Sequence, residues 1–222
     1  MSIKNNLSVL LKEIPKNVKL LAVSKTKPIE DILEAYNAGQ KMFGENKAQE
    51  MIAKQPQLPE NIRWHFIGHM QTNKVRYIAP FVALIEAVDS LKLLKEINKQ
   101  AKIINRVIDC LLQFHIATEE TKFGLSMPEA KEILDDPEFK IMKNIRITGV
   151  MGMATYTDNA ELIHREFRTL KDYFNRLKEN YFSDEDYFKE ISMGMSGDYK
   201  IAIEEGSTIV RIGSLIFGSR TQ

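Results

Sequence analysis

Leu20-Leu21-Ala22-Val23-Ser24-Lys25-Thr26-Lys27-Pro28 is an apolar run that stops in a turn, and the helical pattern directly after it decides the fold. Lys19–Thr26 has strand character, and Pro28–Ala38 reads as a helix with proline in its first turn and Gly39 closing it. One strand followed directly by one helix is the building step of a parallel sheet.

The same step recurs outward from this unit. Upstream, Ile3, Leu7, Leu10, Leu11 and Ile14 fall at helical spacing, so Ile3–Ile14 is an extra N-terminal helix. Downstream, strands are expected at Lys41–Asn46, Arg63–Gly68, Ala83–Asp89, Val107–Ala117, Ile145–Met153, Tyr187–Met195 and Thr208–Phe217. Helices are expected at Lys47–Lys54, Thr72–Ile78, from the Ser90 cap to Asn105, at Pro128–Asp135 behind the Ser126 cap, Asn159–Asn180 and Asp198–Glu205. Each strand but the last has its helix, which predicts an α/β protein, a single (β/α)8 TIM-type barrel domain over residues 1–222. The sequence stops at Gln222, soon after the last strand, and the N-terminal helix is expected to fill the place of an eighth. The rival is an open doubly wound sheet, whose G-x-G-x-x-G fingerprint is replaced after the first strand by Ser24-Lys25-Thr26-Lys27.

The 222 residues are 44% hydrophobic and 27% charged with net charge +1, an ordinary globular balance with no field calling for nucleic acid or an anionic membrane. No stretch approaches the roughly 20 apolar residues of a membrane span, and no signal-peptide pattern opens the chain. The single cysteine, Cys110 in Val107–Leu112, fits buried packing in a reducing compartment, so a cytoplasmic location is expected.

Barrel active sites form at the C-terminal ends of the strands, and phosphate favours the loops after the seventh and eighth. Those ends carry Lys25, Thr26, Glu45, Asn46, Gly68, His69, Asp89, His115, Thr118, Met151, Met153, Ser196 and Arg211 to Ser214. An amine at Lys25, with small residues at Ser196-Gly197 and Gly213-Ser214, suggests a site for an aldehyde that carries a phosphate, and pyridoxal 5′-phosphate is the common molecule of that description. Lys25 shares a strand face with Leu21 and Val23, where desolvation would favour the free amine a Schiff base needs; the alternative is a solvated surface lysine. Arg211 lies inside an apolar strand, where a charge must be paired, either with a barrel carboxylate or with a ligand atom. Glu45 and Asp89 are candidates for an acid–base pair or for simple packing. His65 and His69 lack zinc-site companions, His115 reads as a core histidine and His164 as a surface one.

Val23-Ser24-Lys25-Thr26-Lys27-Pro28, Phe43-Gly44-Glu45-Asn46, Trp64-His65-Phe66-Ile67-Gly68, Gly149-Val150-Met151, Met193-Gly194-Met195-Ser196 and the run Val210 to Gly218 together resemble the pyridoxal phosphate homeostasis proteins, from about Lys19 to Arg220. That resemblance implies an alanine-racemase-type barrel standing alone. It makes Lys25 the aldimine lysine and Ser196, Gly213 and Ser214 the phosphate contacts. It sets Arg211 opposite the pyridine nitrogen and Asn46, His65 and Met151 around the ring. The segment Gly197-Asp198-Tyr199 departs from the usual pattern of relatives.

A permanent cation at the ring nitrogen disfavours its proton and weakens the ring as an electron sink, so transamination and decarboxylation are poor expectations. Racemases of this type draw a second base from an all-β domain for which the 222 residues leave no room. The expectation is a non-enzymatic carrier that holds pyridoxal phosphate reversibly, acts in vitamin B6 and amino-acid balance, and meets cofactor-dependent apoenzymes only in transient contact. No dimer seam is visible, so a monomer is expected. A racemase, or a barrel for another phosphorylated metabolite, stays open.

Overall fold

Pairing of β1 with both β2 and β8 closes eight parallel strands into a barrel, in sequence order throughout. The computed structural model describes residues 2–118 and 123–218; Arg220, where the family likeness ends, lies outside them. The strands are β1 (Lys19–Val23), β2 (Met42–Glu45), β3 (Arg63–Phe66), β4 (Val82–Val88), β5 (Ile108–Phe114), β6 (Ile145–Gly152), β7 (Glu190–Ser192) and β8 (Ile209–Ile212). The larger helices are α1 (Ile3–Glu13), α2 (Ile29–Asn37), α3 (Ala48–Lys54), α5 (Leu91–Ile103), α6 (Met127–Asp135), α8 (Ala160–Tyr181) and α9 (Tyr199–Glu204). Single turns form α4 (Val75–Ile78), α7 (Pro137–Lys140) and α10 (Ser214–Phe217). No described helix is long and apolar enough to cross a membrane.

Local sequence accounts for the boundaries. Ser90 and Ser126 cap α5 and α6 through their hydroxyls, and Ser126 with Glu129 closes a capping box. α1 packs against α2 and α10, and its Glu13 accepts from the Tyr199 hydroxyl of α9 at 2.6 Å. The N-terminal helix therefore stands between the first and last helices of the ring, in the expected gap.

Alternate strand residues feed two cores. Ala22, Phe43, Trp64, Phe66, Ile85, Cys110, Leu112 and Val210 pack outward beneath the helices. Leu21, Leu84, Ala87, Leu111, Met151 and Ile209 fill the barrel interior. Cys110 is fully buried, and burial pushes its thiol up, so it stays protonated packing.

Several expected boundaries are corrected. The last strand stops at Ile212 instead of running to Phe217. Gly213 caps a helical turn that buries Ile216 and Phe217, because a short apolar run reads alike as strand or helix. The seventh strand spans Glu190–Ser192, not Tyr187–Met195. Phe188 turns out of it to stack on Phe174 and Phe182, and Gly194 ends it at φ +93°. The turn α7, initiated by Asp136 and Pro137, had no sequence expectation.

Candidate functional site

A cavity of about 670 Å³ opens at the C-terminal ends of the strands. Of the candidate site residues, Lys25, Asn46, Ser196, Arg211, Gly213 and Ser214 line it together. His65 and Met151 do not. Met151 is 1% exposed in the interior core, and Met153, two residues on along the same face, takes the lining position.

The Lys25 side is built by β1, β2 and α3. Leu21 belongs to the interior core and Val23 lines the cavity, so period-two alternation brings the interior face of β1 to the mouth, and Lys25, in the turn directly after the strand, lines the cavity there. Behind it, the buried Ser24 hydroxyl donates to Glu45 Oε1 at 2.7 Å. Lys54 Nζ, at the end of α3, donates to the Ser24 carbonyl at 2.9 Å and to Glu45 Oε1 at 2.8 Å. Burial pushes the Glu45 carboxyl up to about 7, against the opposing pull of Lys54 and Ser24. Lys27 also lines the cavity, but its ammonium donates to the Phe217 carbonyl at 2.9 Å and ties the end of α10 to the β1 turn.

Glycine brings the opposite wall close. A Cβ on Gly213 would stand 3.2 Å from the Val23 carbonyl oxygen, tight for any side chain where the end of β8 meets the end of β1. The Gly213 N–H points at the Ser196 hydroxyl, 3.4 Å away. At Gly68 a Cβ would stand 2.1 Å from the Asn46 carbonyl oxygen, so only glycine lets the end of β3 seat against Asn46.

Beneath the cavity a polar chain threads the barrel. Arg211 Nη1 donates to Ser192 Oγ at 2.7 Å and Nη2 to the Gly152 carbonyl at 2.8 Å. Ser192 donates to Glu86 Oε2 at 2.5 Å, and His65 Nδ1 lies 2.7 Å from Glu86 Oε1. Burial alone would push the Glu86 carboxyl up, but the His65 hydrogen bond, the His65 and Arg211 charges and the Ser192 bond hold it below its ordinary value. Arg211 is 4% exposed, and burial lowers its pKa while the Glu86 charge opposes the shift. Arg211 is thus tied to a carboxylate through Ser192 and not by a direct ion pair, and it also lines the cavity.

Three buried side-chain atoms among the described residues have no hydrogen-bond partner: Glu45 Oε2, Asn46 Oδ1 and His65 Nε2. All three belong to β2, β3 or the residue directly after β2, and Asn46 is in the cavity wall. Buried polar atoms without partners are rare and mark places where a ligand or water completes the bonding.

Other candidates fall elsewhere. Glu45 and Asp89 form no pair: Glu45 is committed to Lys54 and Ser24, while Asp89 faces His69 at 3.4 Å. His69 stacks on Phe123 with ring centroids 4.5 Å apart. His115 is half-buried at the end of β5, not a core residue, because the strand ends before it at Phe114. His164 is also half-buried, with Nδ1 2.8 Å from Glu205 on the α8–α9 side.

The sequence reading missed Glu86, Ser192, Glu50 and Lys54. Glu86 had a signal, since it sits inside the apolar run Leu84-Ile85-Glu86-Ala87-Val88, as Arg211 does in its own strand. The others had none.

The model of the family described as "Alanine racemase, N-terminal domain" matches residues 1–221. The pyridoxal phosphate homeostasis protein of Aquifex aeolicus is 42% identical over 204 residues, covering 91% of this chain and 87% of that one. The protein of the same description from Schizosaccharomyces pombe is 36% identical over 208 residues, covering 92% and 85%. Among solved structures, PipY of Synechococcus elongatus is similar at 32% identity, covering 98% of this chain and 100% of that one. Its TM-score is 0.91 without pyridoxal phosphate and 0.88 with it bound. Alanine racemase of Clostridium difficile shares the fold at a TM-score of 0.80 and 14% identity, with 60% of its length covered. With a family model spanning nearly the whole sequence and relatives of this identity and coverage, the chain belongs to the pyridoxal phosphate homeostasis protein family.

Proposed function

We propose that this chain binds pyridoxal 5′-phosphate as an aldimine of Lys25, holds it reversibly for cofactor-dependent apoenzymes, and acts in vitamin B6 and amino-acid balance without robust turnover. The observation that carries this reading is the meeting of Lys25, Arg211, Ser196, Gly213 and Ser214 around one cavity of about 670 Å³. PipY, solved with pyridoxal phosphate bound and 32% identical, supports the choice of ligand.

The residues fit that cofactor. Asn46 Oδ1 is a buried acceptor in the cavity wall without a partner, suited to a donor on the ring substituents. Ser196 Oγ and the backbone N–H groups of Gly213 and Ser214 are the phosphate contacts, and glycine at 213 keeps that backbone clear of a side chain. When bound, the cofactor supplies an aldehyde carbon and an electron-withdrawing ring. Lys25 supplies the amine. Arg211, held on two sides by Ser192 and the Gly152 carbonyl, keeps a fixed cation toward the ring nitrogen and disfavours a proton there. Such a ring stabilises carbanions poorly, which favours holding the cofactor over turning over amino acids.

The test is titration of the purified protein with pyridoxal phosphate, followed by visible absorption. A yellow aldimine band in the wild type and its loss in Lys25→Ala is the expected result. A band that persists in Lys25→Ala overturns the reading.

One observation favours a second reading. Tyr156, 95% exposed, lines the same cavity as Lys25 from the loop after β6, and a phenol there could serve as a second base for racemisation. Sustained α-deuterium exchange into free amino acids in heavy water, lost in Tyr156→Phe, would establish it; absence of exchange removes it.

A further inference from the structure

Thr26, the residue after Lys25, has φ +64°, in the left-handed region. The only other described non-glycine residue with positive φ is Asn105, a type that tolerates it, whereas a β-branched residue there is a true outlier. A strained backbone persists only where surrounding contacts over-determine it.

Those contacts converge on one buried ammonium. Lys54 is 8% exposed and Glu45 is fully buried. The three Lys54 donors go to the Ser24 carbonyl at 2.9 Å, Glu45 Oε1 at 2.8 Å and Glu50 Oε2 at 3.2 Å. Each carboxylate in turn holds the β1 turn. Glu45 Oε1 accepts from the Ser24 hydroxyl at 2.7 Å, and Glu50 Oε2 accepts from the Thr26 N–H at 2.8 Å. Ser24 and Thr26 flank Lys25. The turn closes on itself through the Lys27 N–H, which donates to the Ser24 carbonyl at 3.0 Å. Neither Lys54, Glu45 nor Glu50 lines the cavity, so none is placed to touch a ligand there. Burying Lys54 against the fully buried Glu45 is weak evidence of a gain in stability by itself.

We propose that Lys54, with Glu45 and Glu50, is a positioning device for Lys25: it fixes the Ser24–Thr26 backbone so that the Lys25 amine is aimed at the aldehyde before the cofactor arrives. This rests on the assignment of Lys25 as the imine-forming residue. In that step the neutral Nζ adds to the aldehyde carbon, its two protons pass in turn to the carbonyl oxygen, and that oxygen leaves as water as the C–O bond breaks and the C=N bond forms. A preorganised amine accelerates the step, and displacement of a reacting group by about 1 Å is enough to slow one roughly 100-fold.

The test uses Lys54→Met and Glu50→Ala; Glu50 is partly exposed, so its variant keeps the question open if Lys54→Met does not fold. Glu50→Gln, which retains an acceptor for the Thr26 N–H, serves as the conservative rescue. Three quantities are read. Stopped-flow absorption gives the rate of imine formation with pyridoxal phosphate. Calorimetry gives the affinity for pyridoxine 5′-phosphate, which carries the ring and phosphate but an alcohol in place of the aldehyde. Hydrogen exchange at the Lys27 amide, in protein without cofactor, reports opening of the turn.

The expected result is imine formation slowed roughly 10- to 100-fold, pyridoxine phosphate affinity changed less than about twofold, Lys27 exchange accelerated, and partial recovery in Glu50→Gln. An unchanged imine rate, or a parallel loss of pyridoxine phosphate affinity, overturns the proposal. The exchange measurement needs no cofactor and so separates the two layers. Unchanged Lys27 exchange sinks the positioning device whatever Lys25 does. Accelerated exchange in a protein whose wild type forms no imine at Lys25 supports the device and sinks the functional assignment instead.

Discussion

Ser192 on β7 reaches across the barrel interior to Glu86 on β4, its Oγ donating to Oε2 at 2.5 Å, and that same Oγ accepts from Arg211 Nη1. One hydroxyl thus joins a buried cation to a buried anion that form no direct ion pair. Removing a bridge of this kind leaves both charged partners under-bonded in a dry interior.

Ser192→Ala should therefore destabilise the protein by about 2–4 kcal/mol, since each buried group left unsatisfied costs about 1–3 kcal/mol and charged groups more. Urea unfolding at neutral pH measures it. A change below about 1 kcal/mol would mean that Arg211 and Glu86 are satisfied without Ser192.

Phosphate contacts should dominate affinity. On the proposed assignment Ser196, Gly213 and Ser214 would supply charge-assisted bonds, each worth about 1.5–3 kcal/mol. Two of them amount to a factor on the order of 100 or more. Pyridoxal without its phosphate should bind weaker than pyridoxal phosphate by at least that factor in a fluorescence titration. Equal affinities would remove the phosphate assignment.

Glu45 gives the stability a pH dependence of defined sign. Its carboxyl is raised from 4.5 to about 7, so between those values the native state holds a proton that the unfolded chain has released. Stability from this group is therefore highest below about pH 4.5, falls as pH rises to about 7, and levels off above, a loss of about 3 kcal/mol. Glu45→Gln does not titrate. The wild-type stability minus that of Glu45→Gln, from urea melts at about pH 4.5 to 8, should fall by about that amount. A flat or rising difference contradicts it.

Alternating apolar runs and caps made the barrel legible, because each βα step is local: Pro28 and Gly39 bracket α2, and Ser90 and Ser126 open α5 and α6. The lining of the cavity by Lys25, Ser196 and Gly213 agrees with the rule that strand ends form the site. Depth along a strand was less visible. Met151 and Met153 share a face and a residue type, and only the closed barrel puts one in the packed interior and the other at the mouth. Pairings across the barrel, such as Ser192 with Glu86, depend on how eight strands are staggered, which no local pattern encodes. Lys54 was hidden for a different reason: a lysine in the last turn of a helix is ordinarily solvated, and only α3 packing against the β1 turn buries it.

The proposed function stands or falls on whether Lys25, and not a neighbouring amine, holds the cofactor. Lys27 lies two residues away in the same cavity wall, but its ammonium is committed to the Phe217 carbonyl at 2.9 Å. Lys54 is buried behind the turn. Borohydride reduction of the protein loaded with pyridoxal phosphate, followed by digestion and mass mapping, identifies the amine directly. A pyridoxyl group on Lys25 alone is expected. A pyridoxyl group on Lys27, on Lys54 or on no lysine would contradict the assignment.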